Sequence, residues 1–147
     1  MEDWRRTRKC QAFDLEGALV IVNKFPCPCC GYRVFEDPPG SHMICPICFW
    51  EDDILQLRWP FYGEGANQTS LVQAQINYNE FAASARRFRE CVREPKPGEE
   101  RGGNWRPIEV DRDRFEPTFE SWSPWPKDRT VLYWWSDSFW LNRPFSH

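Results

Sequence analysis

Histidine is nearly absent from this sequence: of 147 residues, only His42 and His147 carry an imidazole. Acid–base catalysis near neutral pH leans on that side chain more than on any other, so a histidine-based mechanism has little to work with. The Gly-rich phosphate loop, the G-x-S-x-G elbow and the H-E-x-x-H helix are missing as well, which removes common routes to nucleotide, acyl-transfer and zinc-peptidase chemistry. Long apolar runs are lacking. The longest, Ala18 to Val22, falls far short of the roughly 20 residues that cross a bilayer. The basic start, Met1 to Lys9, leads into no signal-peptide apolar core, so the expected compartment is the cytoplasm. A positive excess is also lacking. The formal charge is −3 and the pI near 5.5, against the usual balance of a chain that grips phosphate backbones.

Cysteine, by contrast, is plentiful and patterned. Four of the seven fall into two C-x-x-C pairs, Cys27/Cys30 and Cys45/Cys48, each with proline after its first cysteine. A two-residue gap lets one tight turn aim two thiolates at a point, and two such turns complete the four-sulfur tetrahedron that zinc accepts. Proline pre-sets φ for the turn, and Gly31 permits the positive φ that follows such a knuckle. Between the pairs, Tyr32–Phe35 and His42–Ile44 can form the arms of a hairpin turning at Asp37–Gly40. Knuckle, hairpin, knuckle is a zinc-ribbon layout. The predicted ligands are Cys27, Cys30, Cys45 and Cys48. Iron suits the same four-thiolate cage, and a purified sample's colour distinguishes the two. A disulfide framework is disfavoured by the odd cysteine count. A thioredoxin-like dithiol is disfavoured because Gly and strand-like residues, not a helix, follow C-P-C-C. His42 could replace a sulfur, but four cysteines already close the site. Cys29 reads as a small buried residue and Cys10 as a plain thiol.

Along the chain, Arg5, Arg6, Arg8 and Lys9 read as a solvated end or a partner-binding arm. Asp14 to Phe25 fits a helix face or a buried strand; the β-branched run favours strand. After Cys48 come Trp50, Glu51, Asp52 and Asp53. These carboxylates either face water and cap a short helix or, with Trp50 as anchor, form an acidic patch for a basic partner. Ser70 and Gln73 make a capping box. The apolar stripe Leu71, Ala74, Tyr78, Phe81, Ala85, Phe88, Val92 predicts one amphipathic helix of about 24 residues. Its other face carries Arg86, Arg87, Arg89 and Arg93, either solvated or meeting an anionic partner. Lys96 to Asn104, rich in Gly, Pro and charge, is the best internal boundary. It divides residues 1–95, a ribbon with a long helix, from residues 96–147, an extension packed on it. There Ile108–Val110 and Thr130–Trp135 read as strands. Six of nine tryptophans follow residue 100; Trp134, Trp135 and their neighbours either cover the ribbon or anchor an interface. The fold class is α+β, with a ribbon-like knuckle pair, one long helix and aromatic-rich C-terminal strands.

The segments FPCPCCGYRVF, CPICFWEDD and GANQTSLVQAQINYNEFAAS together resemble the bacterial CPCC cysteine-rich family over roughly Phe25 to Val92. The resemblance implies a bacterial cytoplasmic protein with metal ligands at Cys27, Cys30, Cys45 and Cys48, and with Cys29 as the motif's middle cysteine. Phe49 stands where a generic second knuckle often has Gly, which leaves that turn's geometry open. The resemblance also brings an association with toxin-neutralising proteins of bacterial competition loci. The expectation is therefore a non-enzymatic, zinc-stabilised binding protein, an immunity protein that occludes a toxin domain. The partner surface is drawn from Trp50, Glu51, Asp52, Asp53, Arg86, Arg87, Trp134 and Trp135, with no membrane role. The alternatives are a nucleic-acid-binding ribbon using its arginines and a redox or accessory protein working through Cys10, Cys29 or Cys91.

Overall fold

Each C-x-x-C turn closes its own short antiparallel pair. In the computed structural model, which describes residues 24–117, 119 and 123–142, β1 (Phe25–Pro26) enters the first knuckle and β2 (Arg33–Phe35) leaves it, with Phe25 opposite Phe35. Around the second, Ile44 bridges Glu51 and Asp52 N–H donates to Met43 O at 2.9 Å. The hairpin expected between the knuckles, with Tyr32–Phe35 against His42–Ile44, is thus replaced by a hairpin about each one. A sulfur pair must converge from a single turn, and pairing the flanks of that turn satisfies backbone groups nearest the buried site.

Two helices follow. Asp53 caps α1 (Ile54–Arg58), accepting from Leu55 N–H at 2.8 Å. Ser70 caps α2 (Leu71–Phe81), its hydroxyl accepting from Gln73 N–H at 3.1 Å. The start of α2 matches the sequence signal; its end does not. Ala82 adopts φ 62° and the chain turns away, eleven residues into a stripe that runs on to Val92. The cause is tertiary. Asn77 Nδ2 donates to Ser84 O at 2.9 Å, and Ser84 N–H donates to Cys48 O at 2.7 Å. Small side chains at Ala83 and Ala85 then let the segment lie against Phe49. Helical propensity is a weak preference beside such a contact. Arg86–Phe88 forms a 3-10 turn.

The C-terminal region holds turns where strands were predicted. Residues 108–110 run into a turn in which Asp113 N–H donates to Glu109 O at 2.8 Å. Arg129–Leu132 is a 3-10 turn capped by Asp128, which accepts from Thr130 N–H at 3.0 Å. Asp followed by Thr two residues on offers the backbone a local alternative to a ladder, and no strand lies alongside to compete among the described residues. The aromatics serve as packing. Leu132, Tyr133, Trp134 and Phe139 share one apolar core with the knuckle cysteines, Phe35, Trp50, Leu57 and Leu71. Arg58 fastens the same region from below, buried between the rings of Trp59, Trp125 and Trp140. Its guanidinium grips Glu116 with contacts of 2.7 and 3.3 Å. Among the described residues no helix is long and apolar enough to cross a membrane. The N-terminal basic run, Cys10, the Asp14–Val22 segment, Trp122 and His147 lie outside the described residues.

Candidate metal centre

The two knuckles repeat one backbone design. Gly31 N–H donates to Cys27 O at 2.7 Å and Phe49 N–H to Cys45 O at 2.8 Å; Cys27 N–H donates to Tyr32 O and Cys45 N–H to Trp50 O. Both turns exit through the left-handed region, at φ 85° for Gly31 and 68° for Phe49. The open question about Phe49 is answered: it takes the glycine conformation, and its ring packs on Phe88 at 4.6 Å between centroids.

These turns bring Cys27, Cys30, Cys45 and Cys48 together, each fully buried, with all four sulfurs within 4.8 Å of one another. Cys27 and Cys48 lie 3.6 Å apart, Cys30 and Cys45 3.7 Å apart. Tetrahedral zinc with Zn–S bonds of about 2.3 Å sets sulfurs about 3.8 Å apart, so the donor set fits. A disulfide needs about 2.05 Å; all four thiols are free, as is Cys29. The dithiol reading fails on context, because Gly31 and β2, not a helix, follow C-P-C-C.

The four thiols differ in how tightly they hold their protons. Burial pushes the Cys27 and Cys48 thiols well above the ordinary cysteine value and Cys30 up to about 11. Burial acts the same way on Cys45, but hydrogen bonds from Cys27, Cys30, Cys48 and the Cys48 N–H outweigh it and hold that thiol low. A divalent ion would be held by these four thiolates, with Ile47 N–H donating to Cys45 Sγ at 3.4 Å. The cluster can coordinate a metal ion and is consistent with a structural zinc site. Four sulfurs leave no coordination position for water, so no catalytic role attaches to it.

The remaining predicted site residues are scattered. Trp50, Glu51, Asp52, Asp53 and Trp134 are buried, which corrects their placement on a partner surface. Asp53 caps α1 as one reading expected. Asp52 accepts from the Ser41 hydroxyl at 2.7 Å and its N–H at 3.2 Å. Glu51 is tied by its backbone to Asn67, with contacts of 2.9 Å in both directions. Trp134 donates its indole N–H to Arg106 O at 3.0 Å. The Asp52 and Asp53 carboxylates and the Trp134 indole are thus spent on internal partners, whereas the buried Trp50 indole N–H and Glu51 Oε1 have no hydrogen-bond partner among the described residues. Trp135 is half-buried against Tyr133; Arg86 and Arg87 are exposed. His42 points its ring to Glu51 at 3.4 Å and stays out of the cage.

Sequence reasoning missed the groups that clamp the knuckles from outside. Gln75 Nε2 donates to Pro28 O at 2.9 Å while its Oε1 accepts from Ile108 N–H at 2.8 Å. Arg101 Nε donates to Cys30 O at 2.9 Å. A signal for Gln75 was present: it sits four residues after Leu71 on the buried face of a helix, where an amide must find partners.

The cage and its paired turns define a small cysteine-rich metal-binding module. Residues 25–99 match the family described as Cysteine-rich CPCC, and the chain belongs to that family. No curated protein matches the chain.

Proposed function

We propose that this chain is a non-enzymatic, zinc-stabilised binding protein of the cytoplasm, an immunity protein that occludes a toxin domain. The supporting observation is the contrast between a sealed centre and an apolar surface. The four sulfurs are shut from solvent, while Phe61, Phe119 and Trp125 stand 56%, 54% and 44% exposed. Phe119 and Trp125 share one ring cluster: Phe119 lies 4.8 Å from Trp59 and 4.7 Å from Tyr62, and Trp125 lies 5.7 Å from Trp59. Clustered aromatics of this kind anchor protein interfaces. The test is co-expression with a toxin domain encoded beside its gene, in cells which that toxin kills. Survival and a purified complex are expected, with affinity falling at least about tenfold in Trp125→Ala while zinc is retained. Growth arrest with both proteins present and no complex overturns the reading.

A second reading rests on Arg86, Arg87 and Arg89, all exposed. Arg86 stacks over Phe81 at 4.9 Å and Arg87 over Phe88 at 4.4 Å, so two guanidiniums are oriented in advance. A gel shift with generic DNA or RNA that weakens steeply with salt supports it; no shift at low salt removes it.

A further inference from the structure

A cation is pinned to the first knuckle. Arg101 Nε donates to Cys30 O at 2.9 Å, and the guanidinium lies over the rings of Tyr32 and Trp105, 4.7 and 5.0 Å from their centroids. The backbone around it is fixed as well. Arg101 bridges Tyr32, Arg33 N–H donates to Glu100 O at 2.9 Å, and Gly102 N–H donates to Gly31 O at 3.0 Å. Elsewhere Arg58, Arg93 and Arg106 are matched by Glu116, Glu99 and Asp113. Among the described residues no carboxylate forms an ion pair with Arg101. Covalent geometry keeps a carbonyl oxygen within about 5 Å of the sulfur of its own cysteine. Arg101 Nε therefore stands within about 8 Å of the Cys30 sulfur.

We propose that Arg101 is a positioning residue of the metal centre, a fixed counter-charge that favours the metal-loaded cage over the empty one. Four thiolates around a divalent ion carry a net double negative charge, where four thiols carry none. Burial keeps away the water that would share that charge. A guanidinium stays protonated throughout, and here two ring faces and a carbonyl orient it in advance. Its attraction acts on the loaded cage and hardly on the neutral one. The second knuckle has no equivalent in Arg93. That residue's N–H reaches Pro46 O, but its guanidinium is spent on Glu99 at 2.7 and 2.8 Å.

The inference rests on the cage holding a metal, and wild-type protein that binds one cobalt or zinc per chain establishes that separately. The test uses the full chain with Arg101→Gln and Arg101→Lys, loaded with cobalt for spectroscopy and with zinc for chelator extraction. The Gln amide nitrogen stands as many bonds from the backbone as Arg Nε, so the donor to Cys30 O is kept and the charge is lost. Lys keeps the charge and loses the Nε donor. Arg101→Gln should speed zinc release about tenfold, within the range typical of outer-shell partners, and move the sulfur-to-cobalt charge-transfer band to lower energy. Arg101→Lys should stay close to wild type in both. Because Arg101 is exposed, the gap between wild type and Arg101→Gln should narrow in about 1 M salt. If Gln matches wild type in rate and band energy, or if salt leaves the gap unchanged, Arg101 is only a latch on the turn and the proposal is overturned. If Gln does not fold, Lys decides alone: a rate and band close to wild type support the counter-charge, and a displaced band overturns it.

Discussion

The first and second knuckles reach the same backbone geometry with opposite residues at the exit. At Gly31 the absent side chain leaves room for a ring from elsewhere: a Cβ there would lie 2.4 Å from Cδ2 of Trp105. At Phe49 the residue supplies the ring itself and lays it on Phe88. Their outer supports differ in the same way. The first turn is held by Gln75, Arg101 and Trp105, two of which lie beyond residues 25–99. The second is held by the Ser84 and Arg93 backbones, which reach Cys48 O and Pro46 O. One half of the cage is therefore completed by nearby chain and the other by the C-terminal extension. A metal site needs only its sulfurs in place; what surrounds each turn is free to differ.

The largest effect tests whether the halves are equal as ligands. Cys27→Ser and Cys45→Ser should each abolish stoichiometric zinc, and with it a binding free energy on the order of 10 kcal/mol. Elemental analysis and near-ultraviolet circular dichroism should show metal and fixed aromatic packing lost together in both. Zinc retained in one variant alone would mean the turns are unequal partners. The next effect separates them. Gly31→Ala should cost about 3 kcal/mol, from a positive φ and from collision with the Trp105 indole. Metal content should stay full. Trp105→Ala in the same chain should recover part of the loss, measured as coupling in a denaturant double-mutant cycle; no coupling would show that the ring does not govern the turn.

The cage was legible because ligand spacing is a local property: two residues between cysteines dictate a turn, whatever lies beyond. The capping of α1 by Asp53 and of α2 by Ser70 was legible for the same reason. What could not be read was each place where a distant group decides. The stripe to Val92 is helical by pattern, yet a bond from Ser84 to Cys48 ends the helix at Phe81. Thr130 to Trp135 has strand composition, yet lacks a neighbouring strand among the described residues and follows an Asp cap. Glu51 to Asp53 looks like a surface run, but Asn67, Ser41 and the start of α1 draw these residues inward.

That inward turn gives the second knuckle a pH dependence which the outgoing arm of the first, Tyr32–Phe35, has no carboxylate to match. Burial pushes the Asp52 carboxyl up to about 6, against the opposing hydrogen bonds from Ser41. A folded-state value above the unfolded one means that the folded chain holds this proton more tightly. Its contribution to stability is fully present below about pH 4 and is lost as pH rises through about 6. Asp52→Asn should therefore gain about 2 kcal/mol at pH 7 relative to wild type and little at pH 4. Urea midpoints across that window check it. An equal effect at both ends would show that Asp52 is ionised throughout.

The smallest effect is the most specific to the comparison. In most contexts Gly is worse than Ala, because it surrenders more backbone freedom on folding. At φ 68° the order should reverse, since Ala keeps the left-handed strain of Phe49 and Gly does not. Both lose the contact with Phe88, at a cost of about 3 kcal/mol. Phe49→Gly should nonetheless be more stable than Phe49→Ala by about 1 kcal/mol, read as a higher midpoint in chemical denaturation with zinc content unchanged. If Ala were the better of the two, the second turn would have relaxed out of the left-handed region once its ring was gone. Phe49 would then owe its conformation to Phe88 and not to the demands of the cage, and the likeness between the two knuckles would be imposed by packing instead of by the metal.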